Sequence, residues 1–268
     1  VMGRPRLAAF VSAGNLDSML NKLTASRSRR ASDSYSPGGE VGHRPDRATL
    51  VYCNRVREIW GDIPLIIGGI EASMRRFAHY DYWSDTVRRP MLPDARADML
   101  IYGMGELQLK EIALQLDAGV PVGEIDSLPG TCVMKRERPQ NCVEIPSYEA
   151  VVSDKRSYAE AYRLQSLEQD PFRGRTMAQK VGDRWMVQNR PMRPLTTAEF
   201  DLVNELPYTR EPHRMYDRLG GIPAAEEVRF SINSTRGCFG SCAFCAIHAH
   251  QGRIVQARSE ASMVREAR

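Results

Sequence analysis

Two apolar segments that end in glycine constrain the fold of this chain more than any other feature. IPLIIGG (Ile63–Gly69) is a continuous β-rich run, and ADMLIYGMGE (Ala97–Glu106) repeats the pattern. Strands buried on both faces have this composition. Strand-like Leu7–Ser12 and helix-like Asp46–Trp60 precede them, and helix-like Glu106–Ala118 follows. Because β and α segments alternate, we expect an α/β fold with a doubly wound parallel sheet and helices on both sides.

Glycines mark the carboxyl ends of both apolar runs. Gly68 and Gly69 follow the first, and Gly103 and Gly105 follow the second. Ligands of parallel sheets bind at the carboxyl ends of strands. Each glycine also fits a tight turn or a helix entry, which is the commoner use.

Composition indicates a folded, cytoplasmic chain. Of 268 residues, 42% are hydrophobic and 26% are charged, which excludes a disordered protein. The apolar run Leu7–Val11 is shorter than the core of a signal peptide, and no run is long enough to cross a membrane. The net charge of +4 is too small to indicate a partner. Residue 1 is not Met and the final residues read as an unfinished helix, so we expect a piece cut at both ends.

The middle of the chain is less regular. Thr131–Lys135 and Asn141–Ile145 fit paired strands, and Ser157–Gln169 fits a helix. Ala178–Gln188 predicts a hairpin with a Gly-Asp turn. A capping box, Thr196-x-x-Glu199, opens a helix at Thr197–Leu206.

Prolines divide the chain near residue 207. We predict an α/β domain over 1–206, a linker over 207–226 and the start of a second domain over 227–268. In the last part, Val228–Asn233 alternates as VRFSIN, which predicts a strand that enters a cysteine loop directly.

That loop contains three cysteines with the spacing C-x3-C-x2-C: Cys238, Cys242 and Cys245. Clustered cysteines without a secretion signal indicate a metal site in a reducing compartment. Thiolates select zinc, copper(I) or an iron–sulfur cluster. A four-iron cluster held by three cysteines keeps one iron open for another molecule.

Histidine offers an alternative fourth ligand. His248 and His250 follow Cys245 by three and five positions, which fits a Cys3His zinc site. The alternative function is therefore a zinc-stabilised module that binds nucleic acid or another partner.

The cysteine spacing, with Phe244 just before the last cysteine, resembles the cluster loop of the radical S-adenosylmethionine (SAM) superfamily. Further stretches, SAGNLDSML, YSPGGEVGHRPDRATLVYCN, IIGGIEASMRRFAHYDYWSD and YGMGE, resemble the YgiQ-type family of radical SAM proteins. The resemblance runs from about Ser12 to Arg258. It implies a Rossmann-like or flavodoxin-like N-terminal domain, similar to cobalamin-binding domains, followed by the first strand and cluster loop of a partial (β/α) barrel.

The resemblance also implies a chemistry. Cys238, Cys242 and Cys245 would ligate a [4Fe–4S] cluster, and its open iron would bind SAM. One electron would cleave the sulfonium carbon–sulfur bond to give a 5′-deoxyadenosyl radical. Phe244 would pack beside the adenine. A flavodoxin-type or ferredoxin-type partner would supply the electron. The glycine-rich motif that grips the methionine part of SAM is missing, so this piece alone should be inactive.

The other three cysteines could hold a second cluster, as in some radical SAM enzymes that modify RNA. Cys53, Cys132 and Cys142 are irregularly spaced, and buried free thiols are the commoner outcome. A cobalamin ligand histidine would belong after an early strand, upstream of this chain, and neither His43 nor His79 lies in a D-x-H-x-x-G pattern. We expect the architecture without the cofactor.

Two further segments combine charge with aromatic or basic residues. Ser26–Arg30, with Arg44 and Arg47 near it, fits either a phosphate-binding patch or a solvated face. Arg75–Asp85 mixes arginines with aromatic residues, and we expect it to face the active site with Glu71 and His79 as polar members.

Overall fold

The computed structural model describes residues 3–240 and 242–268. In chain order the strands are β1 Ala9–Val11, β2 Leu65–Ile67, β3 His79–Asp81, β4 Thr86–Arg88, β5 Met99–Ile101, β6 Thr131–Lys135, β7 Val143–Ile145, β8 Met177–Val181, β9 Arg184–Gln188, β10 Thr235–Arg236 and β11 Gln256–Ala257. The helices are α1 Ser18–Lys22, α2 Ala48–Trp60, α3 Gly69–Met74, α4 Met91–Asp94, α5 Glu106–Asp117, α6 Tyr148–Ser153, α7 Lys155–Leu167, α8 Thr197–Asn204, α9 Ala224–Val228, α10 Ile247–His250 and α11 Glu260–Ala267. Short 3-10 turns lie at Pro37–Gly39, Val122–Glu124 and Arg214–Leu219.

Seven strands form the main sheet in the order β1-β2-β5-β6-β9-β8-β7. The pairs β1–β2 and β2–β5 are parallel, as the alternation of β and α segments predicts. Alternate residues of these strands face opposite sides. Leu65, Ile67 and Leu100 join a core with α2 and α7, whereas Ile66 and Met99 join a core with α5. The predicted α/β class, with helices on both faces, is confirmed.

The sheet changes direction after β5. The pairs β5–β6, β6–β9 and β8–β9 are antiparallel, and only β7–β8 restores a parallel pair. Residues 118–130 run back from the end of α5, so that the Tyr102 N–H donates to the Gly130 carbonyl at 3.0 Å. β6 therefore starts beside the end of β5 and runs the opposite way. The sheet is mixed rather than parallel throughout.

Several predicted elements have the predicted partners, and one pair does not. The hairpin of β8 and β9 turns at Gly182, and the capping box of Thr196 and Glu199 opens α8. The predicted pairing between the strands at 131–135 and 141–145 is wrong. β6 lies between β5 and β9, whereas β7 is an edge strand beside β8. The long hairpin β8–β9 occupies the position that a direct pairing would need.

The predicted strand Val228–Asn233 is also wrong. Val228 ends α9, and residues 229–234 form no strand. The apolar side chains of this segment point outward, and Phe230 is 88% exposed. Alternation alone does not make a strand, because the backbone also needs a hydrogen-bonded neighbour.

Residues 207–226 pack on the body rather than hanging free. The Gly38 N–H donates to the Gly221 carbonyl, and the Ala224 N–H donates to the Ser34 carbonyl, both at 2.9 Å. The proposed division of the chain at this segment stays a prediction. Among the described residues, no helix combines the length and apolar character needed to cross a bilayer.

Candidate functional site

The cysteine loop is closed at its base by a short antiparallel ladder. Arg236 of β10 pairs with Gln256 of β11. One step further along, the Cys238 N–H donates to the Gly252 carbonyl at 3.0 Å. The Gly237 N–H donates to the Gln251 side-chain oxygen, also at 3.0 Å. These contacts fix where the loop leaves the chain and where it returns.

Gly237 is required by this geometry. Its φ of +85° lies in the left-handed region, and a Cβ there would sit 2.2 Å from the Ile254 carbonyl oxygen. Any side chain would push the return segment away.

Two of the three cysteine sulfurs, those of Cys238 and Cys242, lie close to Gly240. The Gly240 N–H donates to Cys238 Sγ at 3.3 Å. A Cβ on Gly240 would lie 3.3 Å from Cys238 Sγ and 4.0 Å from Cys242 Sγ. The Cys245 N–H donates to the Cys242 carbonyl at 3.0 Å, which turns the third cysteine back toward the second. The missing side chain of Gly240 thus leaves open the space next to two thiols, and the donor set fits a sulfur-ligated metal group.

The loop faces outward. Cys242 is exposed, Cys238 and Cys245 are half-buried, and the Phe244 side chain is 93% exposed. Among residues 3–240 and 242–268, no three His, Cys, Asp or Glu side chains stand close enough together to hold one metal ion. In a single-zinc site with Zn–S bonds of about 2.3 Å, the ligand sulfurs lie about 3.8 Å from one another. The described cysteines do not stand in such an arrangement.

Arg236 anchors the loop to the α/β body. Its buried guanidinium pairs with Glu106 at the start of α5 and lies 4.7 Å from the centre of the Phe200 ring on α8. Asp201, the next residue of α8, accepts a hydrogen bond from the Ser259 N–H at 2.9 Å. The cysteine loop and the sheet are therefore held by direct contacts.

The two histidines after the loop line a cleft that Arg76 also lines, instead of joining the sulfurs. His248 and His250 are on α10 and line a cleft to which none of the three cysteines contributes. Burial, reinforced by the charge of Arg76, lowers the pKa of His250 to about 4. A Cys3His site is not assembled among the described residues.

Two clefts flank α10. The first, here called the arginine cleft, has about 760 Å³ of open space between the loop after β5 and residues 248–256. Four arginines line it: Arg76, Arg193, Arg236 and Arg253. Gly103 and Gly105, at the end of β5, line it too, as the strand-end rule predicts, whereas Gly68 and Gly69 do not.

The second, here called the tyrosine groove, has about 1170 Å³ of open space and is lined by Tyr80, Tyr158, Tyr162 and Ala246. Arg75, His79 and other residues of the Arg75–Asp85 segment also line it. Because Ala246 follows Cys245 directly, this segment does approach the cysteine loop.

The comparisons with known proteins agree with this arrangement. The family described as Radical SAM N-terminal matches residues 1–231. The chain belongs to the radical SAM N-terminal family. The matched region is the α/β body with α9, and it stops before the cysteine loop.

The alignments with relatives of this family member extend over the cysteine loop as well. A UPF0313 protein of Clostridium botulinum strain 657 is 52% identical over 268 residues, which is 99% of this chain and 42% of that protein. A UPF0313 protein of Clostridium perfringens strain 13 is 51% identical, over 99% of this chain and 41% of that protein. The chain thus spans about two fifths of the length of these relatives.

One solved structure has a similar fold. TsrM from Kitasatospora setae, a radical S-adenosylmethionine methyltransferase with tryptophan substrate and a SAM analog bound, superposes with a TM-score of 0.50. The match covers 98% of this chain and 34% of TsrM at 16% identity, so it supports the fold.

Two of the remaining cysteines of this radical SAM family member are fully buried, and the third is half-buried. Cys53 on α2 and Cys132 on β6 lie fully buried, and burial raises the pKa of each thiol to about 12. Cys142 packs on the opposite core and donates to the Pro139 carbonyl at 3.2 Å. The three do not converge, so a second cluster on them is not supported.

The polar residues predicted near the active site have mainly structural partners. The Glu71 carboxylate accepts from the Ser18 N–H at 2.9 Å and from the Thr49 N–H at 3.1 Å, and so caps the starts of α1 and α2. Burial, followed by the charge of Arg75, lowers the pKa of His79 to about 4.

The basic segment packs partly on aromatic rings. Arg27 lies 4.3 Å from the centre of the Tyr82 ring, and Arg47 pairs with the buried Asp81 at 2.5 Å. These arginines are committed to contacts within the chain. Sequence reasoning missed the arginine cleft, because Arg76, Arg236 and Arg253 come from distant segments and share no local pattern.

Proposed function

We propose that the whole protein is a cytoplasmic radical SAM enzyme in which Cys238, Cys242 and Cys245 hold a [4Fe–4S] cluster. The observation that carries this proposal is the approach of two cysteine sulfurs to Gly240, where a Cβ would lie 3.3 Å from Cys238 Sγ and 4.0 Å from Cys242 Sγ. Family membership supports it independently, since the matched N-terminal domain is that of radical SAM proteins.

The chemistry that such a cluster supplies is one-electron cleavage of SAM to a 5′-deoxyadenosyl radical. Each residue of the loop has a separate task. The three thiolates provide the ligands, and the Gly240 N–H donates a hydrogen bond that stabilises the charge on Cys238 Sγ. Arg236 holds the base of the loop against α5.

The exposure of Phe244 supports a contact with a cofactor rather than with the protein core. Its ring is almost fully exposed one residue before Cys245, and a planar base could cover it. The solved TsrM structure contains a SAM analog, which is consistent with SAM as the second cofactor here. A flavodoxin-type or ferredoxin-type protein would deliver the electron to the exposed side of the loop.

The test uses the full-length protein, purified without oxygen and reconstituted with iron and sulfide. Its reduced electron paramagnetic resonance spectrum is recorded with and without SAM. We expect a [4Fe–4S]⁺ signal that changes on addition of SAM and disappears in Cys242→Ala. Cys142→Ala removes a half-buried thiol of the body and should keep the signal.

Metal content distinguishes the alternative. A colourless protein that retains zinc, and loses it in both Cys242→Ala and His248→Ala, would overturn the proposal and make the loop a zinc-stabilised binding module.

A further inference from the structure

We propose that the arginine cleft binds a small organic acid, which places its carboxylate against Arg76 and Arg253 and offers a hydroxyl or amino group to Gln169. This site is separate from the cysteine sulfurs, and the proposal does not depend on what the cysteines hold.

The first observation is a concentration of unsatisfied polar atoms. Among the described residues, five buried side-chain nitrogen or oxygen atoms have no hydrogen-bond partner. Four of them belong to residues that line the arginine cleft: Gln169 Oε1, Arg236 Nε, His250 Nδ1 and Arg253 Nε. Buried polar groups without partners are rare and costly, so four around one cleft indicate a ligand that satisfies them.

The second observation is uncompensated charge. Arg236 pairs with Glu106, and Arg193 pairs with Glu199. Arg76 and Arg253 pair with no carboxylate of the described residues: Arg76 donates to the Gln188 side chain and the Ser73 carbonyl, both at 2.6 Å, and Arg253 donates to Ser166 Oγ at 3.2 Å.

The burial of Arg76 makes this charge expensive. Its side chain is only 4% exposed, and the guanidinium lies 5.2 Å from the centre of the Tyr102 ring. A buried cation is normally matched by an anion, because water no longer solvates it. The cleft beside it is the place from which an anion can reach it.

The backbone adds to the positive potential. Gly105, the N-cap of α5, and residues 106–108 of its first turn line the same cleft, and Gly105 has no side chain to cap the helix. The amino end of a helix attracts anions through its free N–H groups and its dipole. The cleft also lies at the carboxyl end of β5, where parallel sheets bind their ligands.

The unsatisfied atoms specify the class of ligand. The Nε–H groups of Arg236 and Arg253 need acceptors, which a carboxylate supplies in planar geometry. Arg76, whose Nε already donates to Gln188, adds its uncompensated charge. Gln169 Oε1 needs a donor, which the hydroxyl or amino group of the acid supplies and which chloride or sulfate lacks. Within the open space of the cleft the cavity volume is about 100 Å³, and a water needs roughly 10–15 Å³ on the same scale, so a small molecule fits. A hydroxy acid or an amino acid meets all three requirements.

Thermal unfolding of the purified protein tests the proposal. The probes are L-malate, L-aspartate and inorganic phosphate, each compared with sodium chloride at equal ionic strength so that general screening cancels. We expect malate or aspartate to raise the melting temperature, by roughly 3–5 °C for each tenfold rise in concentration above the dissociation constant. Malamide, the uncharged diamide of malate, should have no effect.

Two variants locate the effect. Arg76→Met removes the buried charge at similar volume. We expect it to abolish the shift with malate and aspartate and to raise the melting temperature of the ligand-free protein. Arg253→Gln should also abolish the shift and is half-buried, so its folding is less at risk. Arg163→Gln, which breaks an exposed pair with Glu160 on α7, is the matched control and should keep the shift.

Three results would overturn the proposal. The first is an equal shift in wild type and Arg253→Gln, which would place the anion elsewhere. The second is a shift with phosphate but none with either carboxylate, which would exclude the proposed ligand class. The third is no shift with any probe together with a lower melting temperature of Arg76→Met, which would make Arg76 a purely structural residue.

Discussion

The α/β body and the cysteine loop differ in how far their side chains are buried. In the body, Phe77 and Glu71 are almost completely buried, and the Glu71 carboxylate has hydrogen-bond partners within the chain. In the loop, Phe239 and Phe244 project outward, and Cys242 is exposed. These two side chains of the body find their contacts within the chain. The loop exposes a thiol and two aromatic rings at the surface, which is typical of a binding element on a rigid support.

The largest difference should appear when one phenylalanine is removed from each region. Phe77→Ala leaves a cavity in the core and should lower the free energy of unfolding by about 3–5 kcal/mol. Phe244→Ala removes an exposed ring and should change it by less than about 0.5 kcal/mol. Urea unfolding followed by circular dichroism measures both. A loss above about 1 kcal/mol in Phe244→Ala would break the comparison, because the ring would then have to pack on the body.

Glu71→Ala should have the next largest effect. The change leaves the N–H groups of Ser18 and Thr49 buried without an acceptor at the starts of α1 and α2. We expect a loss of about 3 kcal/mol, because hydrogen bonds to a buried carboxylate are strong and costly to leave unmade. The same unfolding measurement applies.

The control for this prediction is Glu58→Ala. Glu58 is on the exposed side of α2 and pairs with Arg55, so its removal should cost less than about 0.5 kcal/mol. Equal losses in the two variants would mean that Glu71 does not cap these helices and is available to a ligand.

The same contrast explains what the sequence could predict. Strands β2 and β5 follow from local composition, because a strand buried on both faces must be apolar throughout. The direction of β6 depends on the return path of residues 118–130, which no periodicity records. The cysteine spacing is a local pattern, so the sequence alone reveals it. The arginine cleft unites residues 76, 169, 236 and 253, and only the tertiary structure brings them together.

A pH titration sharpens the comparison at His79. The folded protein keeps this ring neutral down to a pKa of about 4, whereas the unfolded chain binds the proton near 6.5. Between these values the unfolded state binds more protons, so the free energy of unfolding should fall as the pH is lowered from 6.5 to 4. For His79 this loss is on the order of 2 kcal/mol. The free energy of unfolding is measured at several pH values in wild type and in His79→Gln. The difference between the two curves gives the contribution of His79 to the pH dependence.

His250 has a similarly lowered pKa, so His79→Gln should reduce the pH dependence without removing it. A curve for His79→Gln that coincides with wild type would show that the ring is solvated, and would place it on the accessible side of the tyrosine groove.

The smallest expected effect decides whether the two regions are coupled. Thr196 caps α8: its Oγ accepts from the Glu199 N–H at 3.3 Å, and Glu199 accepts in return from the Thr196 N–H at 2.8 Å. Thr196→Ala should lower the free energy of unfolding by about 1 kcal/mol.

α8 also carries Phe200, whose ring lies against Arg236 at the base of the cysteine loop. If the loop is anchored through α8, Thr196→Ala should weaken iron retention of the reconstituted full-length protein against a chelator. Thr209→Ala, at an exposed threonine after α8, is the control. Unchanged retention in Thr196→Ala would mean that the pair of Arg236 with Glu106 is sufficient to hold the loop, and that the body serves it only through α5.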